Sequence, residues 1–179
     1  MRKAILASTI VALVAVTAPL TAQSSGSWEL GLGGGVTLPM GNAGDAYKTG
    51  YHGTALVGYR PASSKLWVGL DAQYHHFTQK AGFINVGGAG ANSFAGFGRL
   101  NYDAASSVYL LGGLGLFRTE NMVVVSGSAP FKKTDSKMAA EAGVGLRLGK
   151  SLFVEGKLIN VFVSNNNQTF IPITLGVRF

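Results

Sequence analysis

The chain ends Phe170-Ile171-Pro172-Ile173-Thr174-Leu175-Gly176-Val177-Arg178-Phe179, an alternation that stops on an aromatic. Successive side chains of a strand point to opposite faces. Ile171, Ile173, Leu175, Val177 and Phe179 therefore share one face, and Thr174, Gly176 and Arg178 the other. This is the pattern of a strand standing between oil and a polar interior, and it directs attention to membrane sheets.

The other end fits such a destination. Arg2 and Lys3 precede an apolar run from Ala4 to Val16, followed by Pro19 and the small-residue stretch Leu20-Thr21-Ala22, which reads as a secretory signal cleaved after Ala22. The expected division is a signal peptide over 1–22 and one barrel domain over 23–179. The apolar run is shorter than the roughly 20 residues of a spanning helix. No comparably long apolar run follows it, so a helical membrane protein is excluded. There is no cysteine, hence no disulfide and no lipidated amino terminus.

Fifteen basic and eight acidic residues become thirteen and eight once Arg2 and Lys3 are removed, a formal charge of +5. The excess is scattered, and Lys132-Lys133 is the one basic pair beyond the signal. Nucleic acid is therefore not an expected partner. Anionic lipid headgroups or acidic glycans suit a modestly positive surface better.

Eight alternating segments run near Trp28–Leu38, Gly53–Arg60, Lys65–Phe77, Asn92–Tyr102, Val108–Thr119, Lys137–Leu148, Leu152–Phe162 and Phe170–Phe179. Each approximates the roughly 9 to 11 residues of a tilted membrane strand, and the even count suits a closed all-β, antiparallel up-and-down barrel. Connections alternate between short (61–64, 103–107, 149–151) and long (39–52, 78–91, 120–136, 163–169). Short turns belong to the periplasm and long loops to the exterior, which places both termini in the periplasm.

Parity assigns each side chain a face. Leu66, Val68, Leu70, Ala72 and Tyr74 are expected outward and Trp67, Gly69, Asp71, Gln73 and His75 inward. The three-residue turn Gly149-Lys150-Ser151 sets Leu148 opposite Leu152 and Arg147 opposite Phe153. Small residues are expected beneath large ones, Gly58 facing Trp67 and Gly113 facing Phe97. Trp28, Tyr59, Tyr102 and Phe179 fall outward at one level, and Tyr74, Phe94 and Phe162 at the other, as two interfacial aromatic girdles.

Arg60, Lys65 and Lys137 terminate their segments. With these set aside, the inward set holds Glu29, Asp71, Glu141 and Glu155 against Arg99, Arg147, Lys157 and Arg178. An unpaired charge in a lumen is costly, so a hydrogen-bonded ion network is expected, with Arg147 diagonal to Glu155 and Arg178 near Glu29. With Trp67, Phe97, Tyr109, Phe117 and Phe153 also inward, the expected core is plugged.

No helix pattern, enzyme motif or metal-ligand spacing appears, and neither a cofactor nor a catalytic residue is assigned. Gly31-Leu32-Gly33-Gly34-Gly35 lies inside a strand with no helix after it, so it is not a phosphate loop.

The signal, the eight segments, the alternation of turns and loops and the terminal Phe179 together resemble the small eight-stranded outer-membrane β-barrel family, the OmpA/OmpX/OmpW-like barrels. The resemblance covers essentially the whole chain after the signal. It implies insertion in a Gram-negative outer membrane, contact with outer-membrane lipids, and recognition of Leu175, Val177 and Phe179 by the barrel-assembly machinery. It leaves activity open, because such barrels serve several functions. The leading expectation is a non-enzymatic, monomeric barrel in an envelope-structural or surface-interaction role, its loops meeting an extracellular ligand. Residues 120–136 are expected to extend two strands into a protruding sheet. The alternatives are a narrow channel or hydrophobic-solute conduit lined by Leu56, Leu111 and Phe117, and an envelope lipid hydrolase or acyltransferase with His75 or His76, besides His52, as base and Ser93 as a neighbour.

Overall fold

The computed structural model describes residues 26–80, 90–123, 131–164 and 167–179, so the signal segment and parts of three loops lie outside the described residues. Eight antiparallel strands close in sequence order into a barrel. They are β1 (Ser27–Met40), β2 (Gly50–Arg60), β3 (Leu66–Thr78), β4 (Gly90–Asp103), β5 (Val108–Val123), β6 (Phe131–Leu148), β7 (Leu152–Val161) and β8 (Gln168–Arg178). The terminal alternation closes the ring: Leu32 pairs with Val177 and Val36 with Ile173 across β1 and β8. Every strand thus has two neighbours over the barrel wall, which is what a sheet in hydrocarbon requires.

Parity holds through the wall. Leu30, Leu32, Leu70, Leu100, Leu110, Leu114 and Leu175 are exposed on the outside, while Trp67, Phe97, Tyr109, Phe117 and Phe153 are buried inside. The short turn pairs Leu148 with Leu152 and Arg147 with Phe153.

Two packing expectations are revised. Gly58 stands opposite Gly69 in the register, and the Trp67 ring reaches it diagonally, lying where a side chain at 58 would be. Phe97 faces Gly115 rather than Gly113, whose own partner is Arg99. The β4–β5 turn decides this, because pairing begins at Asp103 with Tyr109 and fixes every later pair.

Strands also run further than their alternation suggested. β5 and β6 continue to the pair Val123 and Phe131, so the expected extension is present. β7 pairs with β6 only from Val161 and Ala139 onward. The upper part of β6, from Phe131 to Lys137, is therefore held by β5 alone among the described residues.

A feature with no sequence signature is the short helix α1 (Asn42–Ala46) in the first loop. Gly41 enters it at φ 52°, a left-handed conformation that glycine adopts without strain. The turn folds Ala43 and Tyr47 into the barrel mouth, where both are buried with Phe77, Phe117 and Phe170. The Tyr47 hydroxyl donates to Asn121 Oδ1 at 2.9 Å, tying the first loop to β5, and burial pushes its phenol pKa up.

Candidate functional site

The interior divides into three levels between the turn rim and the loop rim. At the turn rim, Arg60 bridges Glu29 and Asp103, each at 2.7 Å. Arg147 also pairs with Asp103, and Arg178 Nη1 lies 3.6 Å from Glu29. These residues, with Lys150 and Phe179, line a cup of about 300 Å³.

Deeper in, the charges are sealed from solvent. The Arg99 guanidinium meets Glu155 at 2.5 and 3.1 Å and Asp71 at 3.2 Å. Lys157 Nζ donates to Asp71 at 2.8 Å and lies 3.5 Å from Glu141. Thr54 donates to Asp71 at 2.5 Å, Gln73 to both Asp71 and Glu141, and the Tyr109 hydroxyl to Glu155 at 2.6 Å. Arg178 lies 3.7 Å from Glu155 and so joins this level to the rim.

Five acids (Glu29, Asp71, Asp103, Glu141, Glu155) thus meet five cations (Arg60, Arg99, Arg147, Lys157, Arg178) in one connected set. Neutrality and hydrogen bonding are the conditions under which charges can be buried.

All eight residues of the expected network lie in this set, but one pairing differs. Arg147 pairs with Asp103 and not with Glu155. It is diagonal to Glu155 in the register, yet the Tyr109 ring stands between them, with Arg147 on it at 4.9 Å and Arg178 at 4.6 Å. Alternation alone puts Asp103 in a turn and Arg60 at a strand end. β4 in fact extends one residue past Tyr102, carrying Asp103 to inward parity, and this continuation of Asn101-x-Asp103 was the available signal.

Beside the network, Trp67 Nε1, Asn101 Nδ2 and Arg178 Nε make no hydrogen bond among the described residues. All three residues line a cavity of about 10 Å³, the size of one water molecule that such donors would satisfy.

The third level is uncharged. His52, His75, Thr37 and Thr174 are buried, and above them the Phe170 ring lies 5.3 Å from each of Phe77 and Phe117, tilted against the first and stacked on the second. Leu56, Leu111 and Phe117 are packed side chains in this filled interior. Ser93 is the register partner of His75 but donates to Thr119, while the His75 nitrogens are taken by Thr37 and Gln73, so no serine–histidine pair forms.

The expected girdle residues lie on the exterior. Trp28 packs on Tyr59 at 5.6 Å and Tyr74 on Phe94 at 5.1 Å. Tyr102 and Phe179 are exposed at the turn end, and Phe162, just beyond β7, near the loop end. Leu175 is exposed on β8, where Val177 shares its outward face.

An apolar exterior around a closed, charge-balanced interior defines a small transmembrane β-barrel. The comparisons with known proteins agree on the fold. The barrel domain of Pseudomonas aeruginosa OprF superposes with a TM-score of 0.57 at 12% identity, covering 86% of this chain and 99% of that one. Ail, the attachment invasion locus protein of Yersinia pestis, solved with the heparin analogue sucrose octasulfate, gives 0.56 at 13%, covering 86% and 97%. Neisserial surface protein A gives 0.56 at 15%, again covering 86% and 97%. A scan of family models finds no match. A search of curated proteins likewise finds none.

Proposed function

We propose that this chain is a non-enzymatic integral protein of a Gram-negative outer membrane that acts through its outer loops. The carrying observation is the contrast between a filled lumen and the β5–β6 hairpin. Side chains occupy the interior from Arg60 to Phe77, whereas β5 and β6 continue past the pairing limit of β7 with Phe131, Lys132, Lys133, Thr134, Asp135 and Ser136 exposed.

In this reading the turn rim and both termini face the periplasm, and the loop rim faces outward. The apolar belt and aromatic girdles contact outer-membrane lipid, and Leu175, Val177 and Phe179 are read by the barrel-assembly machinery. A closed ring leaves no wall strand in need of a mate, which supports a monomer. Among the described residues upper β6 pairs on one side alone, so its other edge can offer backbone groups to an extracellular partner, and Lys132-Lys133 favours an acidic one. The Ail structure, with its sulfated sugar, makes a sulfated glycan the first probe to try.

Deleting residues 122–134 should abolish binding of cells, matrix or sulfated glycan. The shortened protein should still show the heat-modifiable gel shift of a folded barrel. Unchanged binding by that folded variant overturns the reading.

A further inference from the structure

The third level of the interior is a directed chain of hydrogen bonds. Gln73 Nε2 lies 2.9 Å from Asp71 Oδ2 and 3.0 Å from Glu141 Oε2, so the Gln73 amide nitrogen is the donor and its Oε1 must accept. His75 Nε2, 3.1 Å from that Oε1, therefore carries hydrogen. A singly protonated ring then leaves His75 Nδ1 to accept from the Thr37 hydroxyl at 3.0 Å.

The one Thr37 hydrogen is now used. His52 Nδ1, also 3.0 Å from Thr37 Oγ1, must donate to it. His52 Nε2 in turn accepts from Thr174 at 2.8 Å. Each donor from Thr174 to Gln73 points toward the carboxylates, and each imidazole holds one hydrogen in a defined place.

A second hydrogen on either ring reverses a threonine. On His75 it arrives at Nδ1, leaving Thr37 to accept from both rings with its own hydrogen unpaired. On His52 it arrives at Nε2 and turns Thr174 away in the same manner. The acids facing the pair are already shared with cations. Asp71 from β3, Glu141 from β6 and Glu155 from β7 are committed to Lys157 of β7 and Arg99 of β4. Tyr47 of the first loop donates to Asn121, and Lys137 of β6 pairs with Asp135.

The aromatic plug rests on this site. The His75 ring is parallel to Phe77 at 6.0 Å and lies 5.7 Å from Phe117, and Phe170 packs against both phenylalanines.

We propose that His52 and His75 form an acid-operated latch: proton uptake by the two rings breaks the directed chain, draws water beneath Phe77, Phe117 and Phe170, and frees the aromatic plug above the ion-paired level. Only the open latch gives the rings the hydration of a free histidine. Each ring can then raise the open-to-closed ratio up to tenfold for each pH unit below the ordinary histidine pKa of about 6.5.

The test is fluorine NMR of the full-length barrel labelled with fluorophenylalanine, which reports the plug directly, between about pH 7 and pH 5.5, above the ordinary carboxylate range. The logarithm of the open-to-closed ratio should rise with a limiting slope of two protons, falling to one in H52Q or H75Q and to zero in the double variant. No acid-induced second state of the plug phenylalanines in the wild type, or an unchanged slope in the double variant, overturns the proposal. Imidazole nitrogen NMR of the wild type at neutral pH is independent of how the variants fold. It should find hydrogen on Nδ1 of His52 and Nε2 of His75, and any other arrangement overturns the directed chain.

Discussion

Toward the turn rim the lumen is held by charge, and toward the loop rim by aromatic rings and two histidines. Both fillings exclude a wide channel, but they respond differently to a missing side chain. Glu155 is engaged by Arg99 and Tyr109, with Lys157 4.0 Å away and Arg178 at 3.7 Å. Removing it leaves Arg99 and Lys157, both sealed from solvent, short of a partner. Phe117 packs in the apolar cluster against the rings of His75 and Phe170, so its loss leaves a void. One filling depends on the completeness of its partners, the other on its volume.

Four substitutions test this contrast by urea unfolding of the lipid-reconstituted barrel. Glu155→Leu should cost the most, about 3–5 kcal/mol, because breaking a buried ion set strands the remaining charge. Unfolding at the wild-type urea concentration would show that the charges are hydrated and the network dispensable. Phe117→Ala should cost about 3 kcal/mol from lost burial and cavity formation. If it costs more than the Glu155 change, the order of the two halves is reversed.

Thr54→Val keeps shape and removes only the hydrogen bond to Asp71, and a loss of about 1.5 kcal/mol is expected for a bond to a charged acceptor. Arg147→Gln, at the partly hydrated turn rim, should cost about 1 kcal/mol or less. A large effect there would extend the dry network to the periplasmic mouth.

Much of this architecture was legible because a strand's side-chain period is two and its lipid face tolerates few errors. Leu66 to Tyr74 and Ile171 to Phe179 announce their faces without any knowledge of neighbours. The eight inward charges from Glu29 to Arg178 follow from the same parity. Strand ends were less legible, since Phe131 to Ser136 lack apolar alternation and are strand only because β5 continues opposite them. That uncertainty concealed Asp103 and Arg60, whose positions at segment ends made them look like turn residues. The helix at Asn42–Ala46 was invisible because its stability comes from burying Ala43 in a mouth formed by distant strands.

The sequence by itself determined the barrel, its strand count and which side chains face inward, because alternation and loop length are local properties. Tertiary structure alone decided the partners. Arg147 reaches Asp103 because Tyr109 occupies the space toward Glu155. Thr37 joins His52 to His75, and Gln73 joins the histidines to Asp71 and Glu141. These meetings depend on register and on the closure of β8 against β1, which bring together inside the barrel residues that are far apart along the chain.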